Sequence, residues 1–107
     1  MAAKQTRGFK SLLHRIDHFT AHGKALGMPT EDDYESFADQ FLGQPCPKGV
    51  RQFTRSWNGD LVRYDEHVDV FGILDCNGFI KTCYRPDPSF HGEKSNLDYY
   101  LAEEANS

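Results

Sequence analysis

The chain has 107 residues, a length typical of one domain, and a formal net charge of −4. Hydrophobic residues make up 38% and aromatic residues 13% of it. This composition excludes a disordered chain, and no run approaches the roughly 18 apolar residues of a transmembrane helix. We therefore expect one soluble domain over residues 1–107 that does not insert into a membrane. The acidic total argues mildly against a simple nucleic-acid binder.

Charge is segregated along the chain. Residues 1–24 contain five basic residues and one acid, whereas residues 25–46 contain five acids and no Lys or Arg. A local basic surface is therefore compatible with the acidic total. Lys4, Arg7 and Lys10 interrupt any apolar run of a signal peptide, so the domain either stays in the cytoplasm or is exported as part of something larger.

The cysteines are odd in number and lack C-x-x-C spacing, which disfavours a disulfide framework and a structural zinc site. We interpret them as reduced thiols, with Cys83 a small core residue. The three are Cys46, Cys76 and Cys83.

A first amphipathic helix is predicted from Thr6 to about His22. Its apolar residues recur at steps of three and four, and Gly23 ends or bends it. The stripe comprises Phe9, Leu12, Leu13, Ile16 and Phe19.

Three histidines, His14, His18 and His22, are spaced four apart and so share one face of this helix. Histidines at this spacing can bind a metal together, with His67 or His91 as a distant further ligand. Without an H-E-x-x-H glutamate or a cysteine cluster, the alternative is that individual histidines are ordinary solvated helix residues. We expect no metal site and no cofactor.

A second helix is predicted to begin after Thr30, a good N-cap, and to end at Gly43. Its acidic first turn is interpreted as solvated surface, with docking of a basic partner as the alternative. A turn-rich connector, residues 43–49, leads to the second half of the chain.

The second half contains β-branched and aromatic residues in short runs, with the turn formers Asn58-Gly59 and Asn77-Gly78 between them. We predict four antiparallel strands, in residues 50–57, 61–65, 68–74 and 79–84. The expected fold class is α+β, with two N-terminal helices (about 6–43) packed on one face of a four-stranded antiparallel meander (about 50–84). In the tail, residues 86–107, Asn96–Tyr100 forms a short helix or an edge segment.

The chain contains side chains that are suited to cleaving RNA without a metal ion. A base must take the proton of the 2′-hydroxyl, an acid must protonate the leaving 5′-oxygen, and a cation must stabilise the phosphate. His18 and His22 suit the first two roles because their ordinary pKa lies near neutrality. The residues on or beside the sheet that suit phosphate binding are Arg63, Lys81, Thr82 and Arg85.

Each of these residues also has an ordinary structural interpretation. Thr82 suits any strand, and Arg63 and Lys81 are also interpreted as solvated charges at a sheet edge. Tyr84 is interpreted as a core or rim aromatic, whose ring beside a site can stack on a base.

The segments HFTAHGKALGMPTEDDYESFADQFLG, GDLVRYDEHVDVFGILDCNGFIKTCYRPDP and NLDYY resemble bacterial toxin domains of the barnase, EndoU, colicin and RelE superfamily. The likeness is greatest to its colicin D-like branch, which includes toxin modules of contact-dependent inhibition systems, and it spans roughly Leu12 to Tyr100. It implies a helical segment packed on an antiparallel sheet of about four strands.

The resemblance also implies a metal-independent ribonuclease, often directed at transfer RNA, that acts in the cytoplasm of a target bacterium. Such domains are delivered through a secretion system and are neutralised by a cognate immunity protein. The family's catalytic histidine closes the first helix, where His22 stands, and its late-strand hydroxyl and aromatic residues match Thr82 and Tyr84. The colicin D-like pattern has lysines ahead of the histidine, whereas this chain has Thr20 and Ala21. Either His18 and Lys24 supply part of that role or the site differs.

A second function hypothesis belongs to another class. The net charge of −4 and the acidic second helix favour a non-enzymatic interaction module, such as an immunity protein or an adaptor. The set of His, Arg, Lys and Thr side chains and the resemblance favour the ribonuclease.

Overall fold

The structure is a computed structural model that describes residues 5–107. The basic residue Lys4, part of the predicted basic N-terminal surface, lies outside the described residues. The helices are α1 (Leu12–His18), a π-helical turn (Phe19–Gly23), α2 (Glu31–Gly43), α3 (Pro88–His91) and α4 (Asn96–Ala105). The strands are β1 (Arg51–Thr54), β2 (Leu61–Asp65), β3 (Val70–Leu74) and β4 (Ile80–Tyr84).

The four strands form one antiparallel sheet in the order β1-β2-β3-β4, which confirms the predicted meander and the α+β class. Both Asn-Gly pairs lie in connections between strands, and in each pair only the glycine has positive φ, 79° at Gly59 and 90° at Gly78. The connections are therefore longer than two-residue type I′ turns, in which both central residues need positive φ. This is why β1 ends at Thr54 rather than at the predicted Trp57.

Strand β4 departs from simple alternation. Its register against β3 shifts between Ile73 and Leu74, so that Ile80 and Cys83 join the same core cluster although they are three positions apart along the strand. Strict alternation along β4 would place Lys81 and Cys83 on one face and Ile80 and Thr82 on the other, and the bulge breaks this pattern. A β-bulge redirects the side chains that follow it.

Two hydrophobic clusters cover the two faces of the sheet. Helix α2 packs on one face, where Gly72 of β3 leaves room for Leu42, whose side chain would lie 3.0 Å from an added Cβ. Tyr100 of α4 is fully buried against the other face, beside Tyr64 and Phe71. The C-terminal tail is thus a helix that completes the core, and the sheet is covered on both sides.

Helix α1 does not pack by its apolar stripe as predicted. Leu12 and Leu13 are 61% and 69% exposed, and no residue of α1 is buried. The cause lies just before the helix, where Gly8 has a φ of 72° and Phe9 pairs with Ile80 beside β4. Phe9 is therefore buried outside the helix, and α1 begins only after its Ser11 cap.

The histidine face of α1 lies beside Phe9 instead, with His14 exposed and His18 partly buried. His14 and His18 stack with ring centroids 4.9 Å apart, and the ring of Phe9 lies 5.7 Å from that of His18. On the adjoining face Arg15 forms an ion pair with Glu31 at 2.8 Å, so part of the basic segment neutralises the acidic start of α2. Among residues 5–107, no helix is long and apolar enough to cross a membrane.

Candidate functional site

A pocket of about 490 Å³ lies where the π-helical turn, the end of β4 and the two C-terminal helices meet. Aromatic rings and imidazoles make up half of its lining residues, and one guanidinium and one carboxylate join them. The aromatic, imidazole and charged side chains of its lining are those of His22, Tyr84, Arg85, Asp87, Phe90, His91 and Tyr99.

The π-helical turn sets the position of His22. It follows α1 without a break, and single π turns inside helices recur at functional sites. Gly23 is buried, and a Cβ there would lie 2.4 Å from the ring of Phe19. The glycine thus lets Phe19 pack under the turn while His22 lines the pocket.

The His22 ring is free of hydrogen bonds to the rest of residues 5–107, and its neighbours are aromatic. The ring centroids of Tyr84 and His18 lie 5.0 and 5.8 Å away. Burial lowers the pKa of His22 below its ordinary value, because a charged imidazole loses hydration there. Near neutral pH the ring is therefore uncharged and able to accept a proton.

His18 lies one turn before His22 and contacts the sheet. Its Nδ1 is 3.2 Å from the hydroxyl Oγ1 of Thr82 on β4. Burial, and then the neighbouring imidazoles of His14 and His22, lower the pKa of His18. The predicted residues His18, His22 and Thr82 are thus brought together.

Tyr84 forms the floor between the histidines and the C-terminal helices. Its hydroxyl is 3.1 Å from that of Tyr99, and its ring packs edge-on against Phe71. Burial, together with the hydrogen bond to Tyr99, raises the pKa of Tyr84 far above the ordinary value. The phenol therefore stays protonated and can donate a hydrogen bond.

Arg85 supplies the positive charge at the pocket wall. Its side chain is 42% exposed, and its guanidinium donates to the carbonyl oxygens of Ala25, Val68 and Asp69 at 2.8, 3.2 and 3.3 Å. The nearest carboxylate contact, to Asp69, is long at 4.0 Å. A guanidinium has five N–H groups, so two remain for a ligand.

Arg63 does not line this pocket, so the structure does not bring it together with the other residues predicted to bind substrate. Its guanidinium is buried and donates to the carbonyl oxygens of Phe41 and Gln44 and to Oε1 of Gln52. Arg63 lies opposite Gly72 in the sheet, whose missing side chain leaves room beneath α2. Arg63 joins the end of α2 to the sheet, and it does not line the pocket.

Lys81 also lies apart from the pocket. Its Nζ donates to the buried carboxylate of Asp60 at 2.8 Å, and Arg55 contacts the same oxygen at 3.3 Å. Lys81 is 46% exposed but already paired. The position of Lys81 therefore does not support its predicted role in substrate binding.

The far wall is formed by Phe90, His91 and Tyr99, none of which was predicted to contact RNA; His91 was considered only as a distant metal ligand. The sequence did carry a signal for α3, since Asp87 caps it, Pro88 opens it and Gly92 ends it with a φ of 79°. The meeting of this short helix with His22 depends on tertiary packing.

The three histidines of the first helix and the π-helical turn do not form a shared metal site. The rings of His14 and His18 stack and the ring of His22 is tilted by 44° against that of His18, and within residues 5–107 no group of three or more His, Cys, Asp or Glu side chains is placed to hold a metal ion. No protein-family model matches the chain, and neither does any curated protein sequence.

Proposed function

We propose that the protein is a metal-independent RNA endonuclease in which His22 takes the proton of the attacking ribose 2′-hydroxyl. The observation that carries the proposal is the place of the His22 imidazole, which is free of protein hydrogen bonds in the described chain and lines a pocket beside a half-exposed guanidinium. Burial there lowers the pKa of His22, which favours the neutral form that a base needs. The resemblance to colicin D-like toxin domains supports the same residue.

In the proposed reaction His22 takes the proton of a ribose 2′-hydroxyl, and the 2′-oxygen attacks the adjacent phosphorus. The bond to the 5′-oxygen breaks, which leaves a 2′,3′-cyclic phosphate. The leaving 5′-oxygen receives a proton from an imidazolium, which is either His22, now carrying the proton it took, or the adjacent His18. Arg85 stabilises the charge on the phosphate through its two remaining N–H groups.

The substrate class and biological setting follow from the resemblance alone. We propose transfer RNA as the target, a neighbouring bacterium's cytoplasm as the place of action, delivery through a secretion system, and a cognate immunity protein as partner. The acidic net charge of −4 means that phosphate contacts must come from a local surface.

The test is cleavage of purified bacterial transfer RNA in EDTA by the wild-type protein and by His22→Ala. The wild type should cleave, and His22→Ala should lose about 10²- to 10⁴-fold in rate, the usual contribution of general acid-base catalysis. His67→Ala is the matched control because His67 is exposed in the turn between β2 and β3. Equal rates for wild type and His22→Ala would refute the assignment.

A second candidate function is a protein-interaction module, favoured by the exposed apolar side chains Leu12 and Leu13 of α1. Expression separates the two. Intact protein produced at high level in bacteria without its genetic neighbour should arrest growth if it is a ribonuclease toxin. Unaffected growth would favour the interaction module.

A further inference from the structure

The wall of the pocket opposite His22 is a plane of stacked rings. His91 and Tyr99 stack with centroids 4.5 Å apart at an angle of 15°. Tyr99 in turn contacts the Tyr84 hydroxyl, so the rings form a continuous surface from α3 to β4.

Both nitrogens of His91 have partners. Nδ1 accepts from the backbone N–H of Glu93 at 3.0 Å, and Nε2 lies 2.9 Å from the side-chain oxygen of Asn96. The Asn96 amide nitrogen donates to Asp69 and to the carbonyl oxygen of Pro86, so its oxygen is directed at His91. These contacts hold the His91 ring in a fixed orientation, as a plate on which a planar group can stack.

Phe90 stands at the rim of the same pocket and is 90% exposed. Its ring has no aromatic partner among residues 5–107. An exposed ring beside a concave aromatic wall offers a second surface on which a planar group can stack.

The charges at the pocket fit a base inside and a phosphate at its edge. A phosphate against the rings of Tyr99 and Phe90 would lose hydration without a compensating donor. Arg85 and His22 offer such contacts at the β4 side, whereas the Asp87 carboxylate repels a phosphate at the α3 side. A nucleobase stacks on rings without that cost.

We infer that this pocket is a nucleobase subsite, which holds one unpaired base of the RNA next to the phosphate at His22. The inference rests on the proposed function for the choice of RNA as ligand. Phe90 and the His91–Tyr99 pair provide the stacking surfaces, and single-stranded RNA is accordingly the form that binds.

The test is equilibrium binding of the four nucleoside 3′-monophosphates to the full chain, with ribose 5-phosphate as the ligand that lacks a base. At least one nucleotide should bind, and Phe90→Ala should weaken it about 5- to 150-fold, the usual effect of removing one stacking ring. Because Phe90 is exposed, this substitution leaves the fold intact. Trp57→Ala, which removes an exposed ring elsewhere, should leave binding unchanged.

The two proposals fail separately. Nucleotide binding that depends on Phe90 in a protein that does not cleave RNA would support the subsite and overturn the ribonuclease. RNA cleavage that is unchanged in Phe90→Ala, with no binding of any nucleotide, would overturn the subsite alone. Ribose 5-phosphate binding as tightly as the nucleotides would also overturn it, because the phosphate would then be the group recognised.

Discussion

The Thr82 hydroxyl lies 3.2 Å from Nδ1 of His18 and so connects the first helix to the last strand of the sheet. If this contact orients the imidazole, Thr82→Ala should lower the cleavage rate about 2- to 12-fold, which corresponds to the roughly 0.5–1.5 kcal/mol of a typical hydrogen bond. Thr82→Ser should restore the rate. The His18 pKa, followed by NMR, should move in Thr82→Ala and return in Thr82→Ser, and an unmoved pKa would reject the orienting role.

Activity should depend on pH through His22. Burial lowers its pKa below the ordinary 6.5, so the neutral form required of a base persists into mildly acidic solution. Log kcat/KM should therefore be flat near neutral pH and fall with unit slope below a midpoint that lies under 6.5. A midpoint above that value, from cleavage rates of an oligoribonucleotide, would contradict the base assignment.

The same histidines should affect stability. Since His18 and His22 have lowered pKa values in the folded protein, the unfolded chain binds more protons as the pH falls below 6.5. The free energy of unfolding should decrease between 6.5 and the folded-state pKa values, with no further loss from these groups below them. Urea denaturation should show a smaller decrease in the double variant His18→Gln/His22→Gln; an equal decrease would remove these residues as its cause.

Substitution of Arg63 should mainly lower stability, whereas substitution of Arg85 should mainly slow RNA cleavage. Arg63→Ala leaves buried carbonyl groups without donors, at about 1–3 kcal/mol each, and should lower the free energy of unfolding markedly. Arg85→Ala should cost little stability but slow RNA cleavage. Urea denaturation and cleavage rates of both variants check this, and a stable Arg63→Ala protein with slow cleavage would return Arg63 to the site.

The orientation of α1 is tested by a pair of substitutions. Leu13 is 69% exposed, so Leu13→Ser should change the free energy of unfolding by less than about 0.5 kcal/mol. Phe9 is buried, and Phe9→Ala should cost about 3–5 kcal/mol. A Leu13→Ser variant as unstable as Phe9→Ala would mean that α1 packs by its apolar stripe.

The sheet was predictable because its signals are local, in β-branched runs separated by the glycines Gly59 and Gly78. The face by which α1 packs was not predictable, because it depends on the pairing of Phe9 with Ile80, which lie far apart in the chain. The burial of Arg63 depends on Gly72 across the next strand, which no local pattern reveals.

The site was predictable in part for the same reason. Four-residue spacing places His18 and His22 on one helix face, and alternation along one strand relates Thr82 and Tyr84. Their approach to each other, and the closure of the pocket by Phe90 and Tyr99, arise from tertiary packing.

The most direct test of the central claim is the chemistry of the RNA ends after digestion in EDTA. If His22 activates the RNA's own 2′-oxygen, the fragments should carry a 2′,3′-cyclic phosphate and a 5′-hydroxyl, and the digest with His22→Ala should contain almost none of them. Fragments with a 5′-phosphate, or cleavage that EDTA abolishes, would instead indicate a metal-activated water as nucleophile and contradict the mechanism.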